Sequence, residues 1–571
     1  MTKIRFFTLV MTFCLCIVAF TSKTMAQTWP PAGMQGAGTS GSPWQITTAA
    51  QLEALALYVN TNNGNATNGV YYKLMNDIDL SGYANGAGWN PIGNNSTVSS
   101  GTRFQGNFDG NNKLVKNLTI NFPTGNDIGL FGHTYRATIQ NLGVENCNIV
   151  GSTNVGGLVG YAFSNNTINN CYTTGKVNGS SYVGGLVGYN DGSCKNTNCH
   201  SLANVSGSGN YVGGLVGSNS GSITISNSYA KGSVSGRDWV GGLVGGNSGF
   251  TTISNNYATG SVSGRDFVGG LAGSFSYSCF IMSNCYATGN VSGSGYCVGG
   301  LVGSNSSSIY DSYATGSVSG SEHSVGGLAG KTGGGYLNYP YNPYYASIRN
   351  CYATGSVNGR DSVGGLVGTN YMNSSIHSCV AANDVVIALS NTKNINRIVG
   401  IGGNSDTKVE KNYALATTKV QNSVGNVSIT DGSDNAGIGR DINTLQSLGF
   451  YSTANDWLSV WDIVSSTSIW KICNGKGLPF LRWQGILCEG ETGITNISQN
   501  AKLQIYPNPA STQLYVKFDA QEAVDYTIYS ITGQILLQGK VQDNLPINIE
   551  SLASGMYYLK IAGKTVKFVK E

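Results

Sequence analysis

Three Arg-Asp pairs, Arg237-Asp238, Arg265-Asp266 and Arg360-Asp361, are the residues of this 571-residue chain that come nearest to a catalytic pattern. The first two stand 28 residues apart in the same setting, S-G-R-D-[WF]-V-G-G-L. If neighbouring copies lie side by side, Asp238 and Asp266 approach the ~5 Å separation of the two carboxylates in a retaining glycosidase. Each Asp, however, has its own Arg and falls where a turn is expected, so a solvated charge ladder is the plainer reading. The chain has no H-E-x-x-H, and His133, His200, His323 and His377 do not pair at zinc spacing. No G-x-S-x-G elbow or phosphate loop stands out. Aspartate-rich turns at 76–82 and 107–112 could hold calcium, although they lack EF-hand spacing and need no ion as turn formers. No other cofactor is indicated.

Tyrosines offer a different chemistry. Tyr172, Tyr229, Tyr257, Tyr286, Tyr313 and Tyr352 share one position of a recurring [ND]-x-Y-[AT]-x-G segment, and His200 replaces Tyr in one copy. Stacked about 4.8 Å apart on an outer face, they form an exposed aromatic ladder, a surface on which sugar rings could lie. The competing reading is a self-stabilising ladder in which each ring covers its neighbour.

What positions these residues is a repeat. V-G-G-L-[VA]-G begins at Val155, Val183, Val212, Val240, Val268, Val298, Val325 and Val363, in steps of 28, 29, 28, 28, 30, 27 and 38 residues. Such a period signals a solenoid. Glycine and β-branched residues dominate, and both disfavour helix. A coil of this length holds roughly three short strands. One coil cannot bury its apolar face, but stacked coils bury a continuous column. The expected fold is all-β, a parallel β-helix of the right-handed kind.

Alternation sets the faces. Lys231 must face water, which sends Tyr229 and Ser233 outward and Ser228, Ala230, Gly232 and Val234 inward. Cys171, Cys199, Cys285, Cys351 and Cys379 share the Ser228 position and read as packed thiols; Cys473 and Cys488 are the better disulfide candidates. In the hexapeptides, Gly156-Gly157-Leu158, Gly184-Gly185-Leu186, Gly213-Gly214-Leu215 and Gly241-Gly242-Leu243 predict a corner. It turns both Val and Leu inward, with glycine supplying the unusual dihedrals. The alternative has Val155 and Val159 inward and Leu158 on a covered outer face.

The ends differ. Residues 1–26 carry Lys3, Arg5, an apolar run and Thr24-Met25-Ala26, the pattern of a secretory signal peptide. Its removal lowers the formal charge from +4 to +1, which argues against nucleic acid. No later run is long enough for a transmembrane helix. Residues 27–127 are expected to hold an N-terminal cap and the first coils; Thr48-Ala-Ala-Gln51 followed by Leu52, Leu55, Ala56 and Val59 predicts a short capping helix. The coils occupy 128–434, a far cap 435–488 and a linker 489–500. Residues 501–571 alternate at period two and predict a small immunoglobulin-like β-sandwich.

Two resemblances rest on these segments. V-G-G-L-V-G with N-C-Y-A-T-G-S-V resembles the GLUG repeats of bacterial surface and secreted proteins, over roughly residues 128–403. Tyr506-Pro507-Asn508-Pro509 and Gly555-Met-Tyr-Tyr-Leu559 resemble a type A sorting domain of the type IX secretion system of Bacteroidota. The second resemblance implies passage through the periplasm, handling by that machinery, and an extracellular or outer-membrane-surface destination. The expected function is a non-enzymatic, adhesin-like β-solenoid scaffold that binds glycan or matrix through the tyrosine ladder. The alternative is a glycan-cleaving β-helix enzyme, a polysaccharide lyase or glycoside hydrolase.

Overall fold

The computed structural model describes residues 29–94, 100–276, 281–333, 346–402, 406–453, 457–488, 504–517, 524–530, 534–542, 545–561 and 564–571. The predicted signal peptide and linker lie outside the described residues. The chain divides into two units, Met1–Trp483 and Gln484–Glu571.

The first unit is a parallel β-solenoid of about thirteen turns. One coil shows how it is built. Ser181–Gly184 belongs to a nine-stranded sheet and Val187–Gly192 to a ten-stranded sheet; Lys195–Thr197, His200–Ser201 and Asn204–Gly207 belong to a 33-stranded sheet. The valines opening the eight hexapeptides pair in unbroken register from Val155 to Val363. A one-residue slip would turn every apolar side chain outward, so the buried face pins the register. Ala230, Ala258, Ala287, Ala314 and Ala353 form one buried file, as the alternation from Lys231 requires.

The cysteine file is buried and free of disulfides. Each thiol donates to the carbonyl two residues back: Cys199 to Thr197 at 3.2 Å, Cys285 to Ser283 at 3.1 Å, Cys351 to Arg349 at 3.1 Å. Ser228 and Ser312 make the same bond with their hydroxyls at 2.8 and 2.7 Å, which explains why Cys and Ser interchange there. Burial pushes the Cys199 and Cys285 thiols up to about 12, so they stay protonated. Cys473 and Cys488 are disulfide-bonded.

The corner falls where expected, and Val155, Leu158 and Val159 are all buried. The reason for glycine is different from the one predicted. Neither Gly156 nor Gly157 has a left-handed φ; a Cβ on Gly156 would collide with the Val159 carbonyl, and one on Gly157 with the Gly185 carbonyl of the next coil. The left-handed residue is the one before each hexapeptide: Asn154, Tyr182, Tyr211, Trp239, Phe267, Cys297, Ser324 and Ser362.

At the N-terminal end, Ala49–Tyr58 is an α-helix whose N-cap Thr48 accepts from the Gln51 amide. The Gln51 side chain reaches back one residue further than a capping box requires, to the Thr47 N–H at 2.7 Å. Leu52, Leu55, Ala56 and Val59 join the solenoid core. At the other end Val427 and Ile429 pack against that core.

The second unit holds antiparallel sheets of three and four strands around Leu514, Val516, Ile528, Leu559 and Phe568. Within it the Asn508 side chain accepts from the Val569 N–H at 2.9 Å, tying the Tyr506–Pro509 motif to the last strand, and Gly555 opens the strand Gly555–Ile561.

Candidate functional site

The predicted tyrosine ladder exists. From Tyr172 through His200, Tyr229, Tyr257, Tyr286 and Tyr313 to Tyr352, ring centroids follow at 4.6–5.1 Å with interplanar angles of 2–11°. Parallel rings this close cover one another's faces, and what they turn outward is edges and hydroxyls. Tyr172 ends the stack over Gly143, where a Cβ would strike its ring. Its hydroxyl donates to Glu145 at 2.6 Å. The Lys231 ammonium lies 5.0 Å from the Tyr229 ring centroid and 5.9 Å from that of Tyr257. Burial, and secondarily the neighbouring tyrosines, push the Tyr257 phenol up to about 12.

The ladder is not exposed throughout. Tyr313 and Tyr352 are only 5% exposed, which corrects the expectation of an open row of six tyrosines. The segment predicted as a far cap covers them: it runs back along the solenoid flank as a strap of tryptophans. Trp461 donates its indole N–H to the Ser378 carbonyl at 3.1 Å, Trp470 to the Asp311 carboxylate at 3.0 Å and Trp483 to the Asn284 carbonyl at 3.2 Å. Trp470 lies against Tyr313 and Tyr352 with centroids 6.2 and 6.0 Å apart, and Trp483 against Tyr257 and Tyr286 at 6.0 and 5.7 Å. Tyr172, His200 and Tyr229 lie beyond these contacts and are half-buried.

Sequence reasoning missed a second ladder. Tyr182, Tyr211, Trp239 and Phe267 stack at 4.8–5.4 Å with angles of 6–9°. These are the left-handed residues before the hexapeptides, and aromatic side chains are poor predictors of that conformation.

In the three Arg-Asp pairs the arginines are exposed and Asp266 and Asp361 partly so, whereas Asp238 is buried. Asp238 is 4% exposed and opens the strand Asp238–Gly241. Arg265, from the next coil, grips it through two bonds of 2.8 and 2.7 Å while lying 3.0 Å from Asp266. Arg237 adds a contact at 3.4 Å. The Asp238 oxygens are thus committed to cross-coil bonds. In the aspartate-rich turns, Asp77 pairs with Lys116 at 2.8 Å, and Asp79 accepts from the Ser81 amide and the Asn117 side chain, each at 2.9 Å. Those bonds hold the carboxyls of Asp77 and Asp79 below the usual range. Among the described residues no group of three or more His, Cys, Asp or Glu is placed to hold a metal ion.

Comparison with known proteins bears on both units. The family model described as the GLUG motif matches residues 208–235, 294–319 and 321–358, and that described as the secretion system C-terminal sorting domain matches 504–571. The chain carries GLUG repeats and a secretion-system sorting domain. The GLUG coils are therefore part of a protein exported to the cell surface or extracellular space, with the sorting domain handled by the type IX machinery. No helix among the described residues is long and apolar enough to cross a membrane. Among curated proteins, halomucin of Haloquadratum walsbyi is 32% identical over 24% of this chain and 2% of its own length. A provisionally named Gly-rich membrane protein of Evansella cellulosilytica is 38% identical over 17% of this chain and 10% of its own. The chain thus spans a small part of these relatives. A solved structure, provisionally named an immunoglobulin A1 protease, from Bacteroides ovatus is 20% identical, with a TM-score of 0.28, over 78% of this chain and 94% of that one.

Proposed function

We propose that this protein is a non-enzymatic, adhesin-like surface scaffold whose open solenoid flank contacts extracellular glycan or matrix. The observation that carries the reading is the in-register ladder, of which the strap leaves Tyr172, His200 and Tyr229 open. Because the rings face one another, contact is through the outward edges, the Tyr229 hydroxyl and the Lys231 ammonium. Each coil repeats nearly the same outward groups, so a long chain gains avidity along the rod even when each contact is weak. The bonds that occupy Asp238 favour a scaffold over glycan cleavage, since a catalytic carboxylate must be free to reach substrate.

The test is a glycan-array screen of the full chain beside a variant carrying Tyr172→Ser and Tyr229→Ser. Binding to extended glycans that the double variant loses, with the thermal midpoint kept, supports the ladder. Equal binding by both proteins removes the ladder from the reading, and no binding by the wild type removes the reading itself.

A further inference from the structure

A cavity of about 460 Å³ lies on the outer face of the first coils. Two files of outward side chains form its floor. Tyr71, Asn107 and Thr138 are register partners on three successive coils, and Lys73, Asp109 and Gln140 are the next outward file. Coils about 4.8 Å apart and alternate residues about 6.6 Å apart along a strand make this a compact grid on a rigid sheet. Ser40, Gly41 and Pro43 form the wall. That turn is fixed by the Ala37 N–H on the Ser42 carbonyl at 2.8 Å and the Tyr71 N–H on the Gly38 carbonyl at 2.9 Å.

Two observations mark this place. At some other positions outward polar groups pair from coil to coil, as in Asn170 to Asn141 at 2.9 Å and Thr197 to Asn169 at 2.9 Å. Here the side chains of Lys73, Asn107, Thr138 and Gln140, all described residues, have no hydrogen bond or ion pair within the protein. Tyr71 differs from the ladder tyrosines: it is 37% exposed and, among the described residues, no aromatic ring stacks on it.

The ligand class follows from what converges. An exposed aromatic ring with no other ring stacked on it suits an apolar C–H surface. Two amides, three hydroxyls (Ser40, Tyr71 and Thr138) and one ammonium surround it, able to donate and accept in many directions. Asp109 contributes acceptor capacity: its Oδ1 already takes the Asn111 N–H at 2.8 Å and the Asn141 amide at 3.0 Å, which leaves Oδ2. Lys73 and Asp109 cancel, so the lining carries no net charge. An anionic ligand would call for an excess of basic groups, and a lipid for an apolar lining. A ring with one apolar face and a rim of hydroxyls is a neutral pyranose.

We propose that this cavity is a binding site for a neutral oligosaccharide, with Tyr71 stacking on one sugar ring and Asn107, Thr138, Gln140 and Lys73 holding its hydroxyls. The inference rests on the reading of the protein as a glycan-binding scaffold and places a site at its first coils. Because the floor is pre-formed by paired strands, little ordering opposes binding.

The test uses the full chain and calorimetry with cellohexaose, xylohexaose, mannohexaose and maltohexaose, with an oligogalacturonate as the charged comparison. The expected result is saturable binding of at least one neutral oligosaccharide, weakened about tenfold or more by Tyr71→Ala and largely kept by Tyr71→Phe. Gln140→Trp, which fills the cavity from an outward position, should block binding without touching the core. Thr252→Ala, at an exposed strand position on a later coil outside both sites, should leave it unchanged. If neutral sugars bind and both cavity variants bind them as the wild type does, the cavity is overturned while the scaffold reading stands. Binding of the oligogalacturonate alone also overturns the proposal. If the wild type binds none of these probes the proposal fails, and the array screen of the wild type decides separately whether the scaffold reading fails with it.

Discussion

His200 holds a place that the coils on either side give to tyrosine, stacked 4.8 Å from Tyr172 and 4.6 Å from Tyr229. Burial, and then the nearby Lys231 charge, lower its pKa from the ordinary 6.5. A base with a depressed folded pKa leaves the unfolded chain holding more protons, so stability rises with pH. The contribution is present above the ordinary imidazole value and is lost as pH falls below it. His200→Tyr removes the titration and keeps the stack, worth about 0.5–1.5 kcal/mol beyond buried area. The thermal midpoint of the wild type should therefore drop more than that of the variant between about pH 7 and about pH 5. Parallel acid profiles would mean that His200 does not couple to folding. The ladder was legible in the sequence because a single cation, Lys231, fixed the outward register and alternation did the rest. That Tyr313 and Tyr352 are covered was not legible, because Trp470 reaches Asp311 from 159 residues away and nothing periodic marks it.

At the scale of the element, the hexapeptide corner is a problem of space. The position of its glycines could be read from Val and Leu lying three apart, since both must be buried. Their reason could not: for the first glycine the obstacle is the carbonyl three residues on, brought back by the corner itself, and for the second it is the backbone of the neighbouring coil, which a single repeat does not contain. A Cβ on Gly242 would collide with the Gly270 carbonyl and lie 2.9 Å from the Ala258 methyl. Gly242→Ala should cost about 1–3 kcal/mol, the range for overpacking a dense interior. Gly82, which has nothing within 4 Å of an added Cβ, is the control. Urea midpoints of the two variants decide the matter: equal midpoints would return the corner to a question of dihedrals.

The whole molecule combines two building principles, a column of coils and a separate antiparallel unit. Thirteen coils at about 4.8 Å make a solenoid of roughly 60 Å along its axis. Its period made that architecture readable, and the switch to period-two alternation made the second unit readable. The units have distinct cores, one running from Met34 to Val420 and the other including Leu514, Ile528, Leu559 and Phe568. Energetic effects confined to one core should then leave the other nearly unchanged. Removing residues 501–571 takes away the sorting domain while keeping Cys473 and Cys488. The thermal midpoint of the repeats should hold within about 2 °C, since none of their core is lost. Export should fail, because the element handled by the type IX machinery is gone. In intact cells the truncated chain should resist added protease and be recovered from the periplasm, whereas the full chain is cleaved at the surface. If the truncation reaches the surface as the full chain does, the C-terminal unit is not the export signal. If instead the repeats unfold, the second unit stabilises the solenoid, and the two cores are not independent.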